Sequence, residues 1–424
     1  MRGIIGLATQ KELVRGLKGL AFGVQSRGQM GCGLAVANGQ MVHLPIVGDG
    51  LVREVLEGEE KYLVGCFGIG ATVSQGPLMP FSREEEYYRG VVAFDGYLGS
   101  SDSHELRELF HETVLGPPYD TVSGIGKLYD RRLGHGNMVV LTPDGVFASR
   151  DPSGMHPLVL GSYSDGSRVT VGVASESSAF FYPGLELVRD VAPGEIVRLH
   201  VNTIDSVGQI EPRRHICVFE WIYFARLDST IDGLPVDMAR KLLGGYLAEG
   251  DDVEADIVAP VPFSGVGHAV GYHQSSGLPY DNAFLLPQFH RRSYNLPIEM
   301  RLAVLRGGKL VPIKSAIEGK RIVLVDDSIR GGHTMRGLVG MLRACGAREV
   351  HVRIASPLSV RYCPHVACPG EQEEFIAGKL DVEGIREWMG ADTLKYQTIE
   401  GVVRAIGMPE KDLCLDCFKC ERAC

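Results

Sequence analysis

Through residue 210 the chain sets short apolar runs between glycine-containing turns. Val91 to Phe94, Asn137 to Leu141, Val169 to Ala174 and Ile196 to Val201 each carry strand character. Two stretches, Lys11 to Phe22 and His104 to Leu115, space their apolar residues at helical intervals instead. Strands in blocks with few helices predict an α+β layered domain. Beyond residue 210 the rhythm changes to a strand at Asp256 to Pro260, a helix at His268 to Ser275, a strand at Arg321 to Val325, a helix at Met335 to Cys345 and a strand at Glu349 to Ile354. That alternation is βαβ and predicts a mostly parallel sheet. Thr334 is placed as the N-cap of the Met335 helix and Gly346 just past its end. The segment Asn202 to Arg214 reads as a linker, which gives units of 1–210 and 211–424. No internal repeat is visible, but the chain ends in a cysteine-dense tail, Leu413 to Cys424.

With 424 residues, 45% of them hydrophobic, the chain has material for two or three packed domains. Its formal charge is -9, and no basic run interleaved with aromatics offers a track for phosphate backbones, so nucleic acid is not an expected partner. Every apolar stretch is broken before the roughly 18 residues a membrane span needs. The opening Met1 to Gly6 runs into a polar segment and not into a signal core, so no membrane association is expected. The expected compartment is the cytosol. Disulfides are disfavoured there, and the ten cysteines read first as metal ligands.

The strongest chemical signal is the run Arg321-Ile-Val-Leu-Val325 followed by Asp326-Asp327-Ser328-Ile329-Arg330-Gly331-Gly332-His333-Thr334 and then a helix. Open α/β sheets bind ligands where buried strands end, and this strand delivers two carboxylates there. Adjacent acids can accept hydrogen bonds from a vicinal diol, while a glycine-rich turn leaves backbone N–H groups free around a phosphate at a helix N-terminus. A ribose 5-phosphate satisfies both halves.

At these residues the sequence resembles the type I phosphoribosyltransferases and, within them, the glutamine phosphoribosylpyrophosphate amidotransferases. In the second half the resemblance is carried by Cys217-Val-Phe-Glu-Trp-Ile-Tyr-Phe-Ala-Arg226, Val261-Pro262-Phe263-Ser264-Gly265, Lys309-Leu310-Val311-Pro312, Glu318-Gly319-Lys320-Arg321 and Glu349-Val-His-Val-Arg-Ile-Ala-Ser-Pro357. It implies that Asp326 and Asp327 hold the ribose hydroxyls, that Ser328, Gly332, Thr334 and Ser264 bind substrate, and that Lys309 approaches the pyrophosphate. Arg292-Ser293-Tyr294 stands in place of the family's lid motif, and Mg²⁺ would bridge the pyrophosphate oxygens. Two departures mark the region. Arg330-Gly331-Gly332-His333-Thr334 stands where the family has Val-Arg-Gly-Thr-Thr, and Phe263 stands where it has an aspartate.

The first half resembles the N-terminal-nucleophile glutaminase domain of the same family, implying an αββα sandwich ahead of an α/β transferase domain. Its frame is present in Gln25-Ser26-Arg27-Gly28-Gln29, Gly68-Ile69-Gly70, Arg150-Asp151-Pro152-Ser153-Gly154, Ala174-Ser175-Glu176-Ser177 and Arg189-Asp190-Val191-Ala192-Pro193-Gly194-Glu195. Its chemistry is not. Such an enzyme uses an N-terminal cysteine whose own α-amino group serves as base, and Arg2 occupies that register here. The family's substrate-gripping arginine falls in Ala71-Thr72-Val73-Ser74-Gln75-Gly76, at Val73. Its oxyanion-hole Asn-Gly is Asp95-Gly96, an acceptor where a donor is required. Cys32 and Cys66 lie in apolar runs and read as core residues.

Cys414-x-x-Cys417-x-x-Cys420-x-x-x-Cys424 has ferredoxin-like spacing, with zinc as the rival metal. The family resemblance implies a [4Fe–4S] cluster on Cys217, Cys363, Cys414 and Cys417, leaving Cys368, Cys420 and Cys424 over. The expected function is phosphoribosyl transfer from phosphoribosyl pyrophosphate to ammonia or another nucleophile without glutamine hydrolysis. A homo-oligomer and an ammonia-supplying partner are the implied associations. The competing reading is an inactive sensor of a phosphoribosyl compound or nucleotide.

Overall fold

The computed structural model describes residues 2–10, 12–58, 63–74, 78–80, 89–98, 103–131, 134–286, 310–363, 365 and 375–419. Lys309, Arg292 and the remaining lid residues, Cys368, Cys420 and Cys424 lie outside them.

The first half is two antiparallel sheets, one of seven strands and one of five, packed face to face. Strand Arg2–Ala8 shows why its sequence lacks polar alternation, since both of its faces are covered. Ile4 and Ala8 enter the core between the sheets, whereas Ile5 and Leu7 sit beneath helix Leu13–Gly23. Helices Ser103–Phe110 and Thr121–Asp130 pack Leu106, Phe110, Ile125 and Leu128 into the same continuous hydrophobic cluster, which also holds Phe94 and Val140 of the five-stranded sheet. The predicted helix His104 to Leu115 is an α-helix that ends in a π-helical turn, His111–Leu115. The layering is αββα, as expected.

In the second half, strands Ile257–Pro260, Arg321–Asp326, Glu349–Ile354 and Thr393–Tyr396 form a fully parallel sheet in that order. Helix Val266–Ser276 covers one face through Ala269 and Tyr272, against Val258, Val323 and Val325. Helix His333–Ala344 covers the other through Met335, Leu338, Val339 and Leu342. Among the described residues no helix is long and apolar enough to cross a membrane.

Two local expectations need correction. The segment Asn202 to Arg214 is not simply a linker, because Thr203–Gln209 is the edge strand of the five-stranded sheet, paired with Glu195–His200. An edge strand with most of its side chains in solvent has the polar composition of a connection. Thr334 is not the N-cap of its helix either. Gly332, at φ 74°, takes that position and no side chain caps the turn.

Candidate active site and cysteine cluster

Strand Arg321–Asp326 ends by presenting Asp326 and Asp327, 8% and 5% exposed, at the carboxyl edge of the parallel sheet. Their backbone carbonyls accept from Ala355 and Ser356, both at 2.9 Å, which locks the pair to the neighbouring strand. Ser264 Oγ donates to Asp326 Oδ1 at 3.0 Å, the Asp327 N–H donates to the same oxygen at 2.9 Å, and Ser328 Oγ donates to Asp327 Oδ1 at 2.5 Å. Burial, and after it the Asp327 charge, push the Asp326 carboxyl well above the ordinary carboxylate range. The turn that brings Ser264 in depends on Gly265, since a Cβ there would lie 2.3 Å from the Val325 carbonyl.

The start of helix His333–Ala344 follows within the same loop. Its first N–H groups have no side-chain cap, and Gly332 reaches its left-handed conformation against Trp388. Uncapped N–H groups at a helix start are an anion seat. Arg330, displaced by one position from the family pattern, stacks its guanidinium 4.3 Å from the Tyr362 ring and 5.3 Å from Phe375.

Of the expected transferase residues, the structure brings together Ser264, Asp326, Asp327 and Ser328, with Gly332 and Thr334 at the adjoining helix start. Tyr223 is a residue of this site that the sequence pattern does not mark. Burial and then the charges of Asp327 and Asp326 raise its phenol pKa. Arg240 fixes this aromatic turn by donating to the carbonyls of Trp221, Tyr223 and Ala225. The motif Cys217 to Arg226 contains Tyr223 but has no spacing that aims it.

In the first half Arg2 is buried, and its backbone N–H donates to Asp95 Oδ1 at 2.9 Å. Its Nη1 donates to the Gly96 carbonyl at 3.3 Å. Val73 pairs directly with Arg2 across the sheet. The three replaced positions therefore converge on one place. Asp95 Oδ2 lies 3.9 Å from Arg27, whose guanidinium also meets Glu176 at 2.6 Å and Glu220 at 2.5 Å. Cys32 is buried in the cluster beneath helix Leu13–Gly23, and the partly buried Cys66 packs against the separate cluster that holds Ile4 and Ala8, so both are core residues as expected.

Four cysteines from three segments meet where strand Ile216–Cys217 pairs in parallel with Leu413–Cys414, Cys217 opposite Cys414. Burial, then the proximity of Cys414 and Cys363, raises the Cys217 thiol. A hydrogen bond from Cys417 lowers Cys363 to about 6, and burial raises Cys414 to about 12. Met155, Phe219 and Phe224 pack around Cys217 and Cys414. A convergent quartet of sulfurs in an apolar wall fits either an iron–sulfur cluster or a tetrahedral zinc ion.

The search for a matching family model found none. The chain is 33% identical to an amidophosphoribosyltransferase of Methanocaldococcus jannaschii over 98% of its own length and 96% of the relative's. It is 33% identical to the Bacillus subtilis amidophosphoribosyltransferase, over 93% and 88% of the two lengths. The solved B. subtilis glutamine phosphoribosylpyrophosphate amidotransferase, complexed with ADP and GMP, superposes with a TM-score of 0.83 at 32% identity, covering 98% of this chain and 96% of that one. A structure described as the allosteric regulatory enzyme of purine biosynthesis matches with a TM-score of 0.84 at 30% identity, covering 98% of this chain.

Proposed function

The chain belongs to the amidophosphoribosyltransferase family, and on that premise we propose that it transfers the phosphoribosyl group of phosphoribosyl pyrophosphate to ammonia without hydrolysing glutamine itself. The observation that carries the transferase reading is the buried acid pair beside an uncapped helix start. Asp326 and Asp327 accept from the ribose hydroxyls, and Ser264 orients Asp326. Ser328, Gly332 and Thr334, with the N–H groups of the helix start, surround the 5-phosphate. Lys309 and Arg292 meet the pyrophosphate in this reading. The two acids suit Mg²⁺ as a partner of the substrate, and the ion would neutralise the leaving pyrophosphate. Carbon 1 of the ribose gains oxocarbenium character as its bond to pyrophosphate breaks; ammonia adds there and then loses a proton. The units 1–210 and 211–424 are proposed as a glutaminase-like body and a transferase.

Support for lost glutaminase chemistry comes from Arg2. A buried arginine stands at the nucleophile's register, and a carboxylate, Asp95, accepts the N–H of residue 2. With phosphoribosyl pyrophosphate and Mg²⁺, ammonia should drive pyrophosphate release, whereas glutamine should give neither pyrophosphate nor glutamate. Arg2→Cys alone should leave glutamine unused, because Val73 and Asp95 still lack the groups that grip substrate and oxyanion. Glutamate formation by the purified wild-type chain would refute the glutaminase part, and ammonia without pyrophosphate release would refute the transferase part.

For the cysteine quartet, the proposed occupant is a [4Fe–4S] cluster on Cys217, Cys363, Cys414 and Cys417, tying the C-terminal segment to the transferase body. Anaerobically prepared protein should be brown and contain iron and sulfide, and Cys217→Ser should bleach it. Zinc without iron or sulfide in such a preparation would reject the cluster.

A further inference from the structure

Beside the quartet lies a second group of metal-ligand atoms, three of which the cluster does not use. His215, His365 and Asp416 join Cys414, and their ligand atoms all fall within 4.8 Å of one another. Asp416 Oδ2 is 2.7 Å from His365 Nε2 and 3.1 Å from His215 Nε2, so two imidazoles aim at a single carboxylate oxygen. Arg361 Nε donates to the Asp416 carbonyl at 2.7 Å, and the His135 ring packs against His365 at 4.8 Å, which fixes the backbone and one ring from outside. The three side chains are 34%, 20% and 28% exposed, open enough for an ion to enter from water.

From this geometry we infer that His215, His365 and Asp416 form a separate seat for one divalent transition ion of the zinc class. Two imidazoles and a carboxylate are the ligand types of open zinc sites, which keep a fourth position for water. Atoms bound to a tetrahedral ion at about 2.0–2.1 Å stand roughly 3.3 Å apart; the observed carboxylate–imidazole spacings, 2.7 and 3.1 Å, both fall short of that value, so the ion enters as small side-chain rotations open them. Cys414 is the shared neighbour. With the quartet filled, its sulfur belongs there and water takes the fourth position.

The test uses the full-length chain with its quartet already loaded, whichever metal that turns out to be. A failure here is thus distinct from failure of the iron–sulfur reading. Titration with Co²⁺ should show one further equivalent per chain with visible bands of a four-coordinate ion. Zn²⁺ bound as that equivalent should give an X-ray absorption shell dominated by nitrogen and oxygen at about 2.0–2.1 Å, with no more than one sulfur near 2.3 Å. His215→Ala combined with His365→Ala should abolish the equivalent while leaving the quartet's metal content unchanged. Asp416→Asn should weaken it at least as much as the roughly 10–100-fold typical of an outer partner. The inference is overturned if no further equivalent binds, if the double histidine variant keeps it, or if the shell is mainly sulfur. The absorption measurement on unaltered protein decides even where a variant fails to fold.

Discussion

Asp327→Asn should weaken binding of phosphoribosyl pyrophosphate with Mg²⁺ by about one to two orders of magnitude. The reason is that a hydrogen bond to a charged acceptor contributes roughly 1.5–3 kcal/mol and each 1.4 kcal/mol is tenfold. Ser328→Ala should cost less, because the backbone N–H groups of the helix start are untouched. Asp326→Asn should also impair binding but have a second, opposite effect on the fold. Burial and the Asp327 charge raise the Asp326 pKa in the native state above its unfolded value. The stability linked to this raised pKa is present below about pH 4, the unfolded carboxyl's range, and is lost as pH rises through the native pKa. An asparagine can still accept from Ser264 and the Asp327 N–H without ionising. Urea unfolding at pH 8 should therefore find Asp326→Asn more stable than wild type, with the difference shrinking toward pH 4. Equal stability of the two across that range, together with unchanged substrate binding by Asp327→Asn, would remove the acid pair from the site.

What the sequence made legible is what local pattern encodes. Ile322 to Val325 is a continuous apolar run with an acid pair and glycines after it, and strand, acids and helix all appear in that order. The α+β first half and the parallel sheet of the second follow from the change in rhythm near residue 210, whereas the αββα layering was implied by the family resemblance. The edge strand Thr203–Gln209 escaped because an exposed strand lacks an apolar face to betray it. The cap escaped because Gly332 supplies a backbone conformation where Thr334 would have supplied a side chain. Contacts between distant segments left no local mark: Arg27 meets Glu220, and His215 and His365 meet at Asp416, through tertiary packing alone. The gathering of Cys217, Cys363, Cys414 and Cys417 was expected on resemblance, not on spacing, since only two of the four share a run.

Glu220→Ala should destabilise the chain by up to about 3–5 kcal/mol, because it removes a buried ion-pair partner that Arg27 and His156 share and leaves Arg27 with only Glu176 at 2.6 Å and Asp95 at 3.9 Å. Glu220 is inaccessible and stands between Arg27 and His156, whose Nδ1 lies 2.7 Å from its carboxylate. Burial alone would raise the Glu220 pKa, but Arg27, and then His156, outweigh it and hold the group at about 2. A depressed acid of this kind lends stability above the unfolded value of about 4.3 that is lost as pH falls toward 2. Wild type should therefore lose stability across that window, and Glu220→Ala should lose less of it. Glu220→Gln keeps the shape and a hydrogen-bond acceptor, so its cost should be smaller. The same residues join the two halves: Arg27, Glu176 and His156 come from the sandwich, and Glu220 comes from the transferase side, three residues beyond Cys217. Arg150 repeats the arrangement with a bidentate pair to Asp232 at 2.6 and 2.8 Å. Loss of Glu220 should consequently loosen the two bodies from each other before either unfolds, seen as faster amide exchange along Ile216–Cys217 and in the Glu220–Phe224 turn. A change below about 1 kcal/mol in guanidinium unfolding, the range of an exposed pair, would show that this buried network contributes packing and not charge compensation.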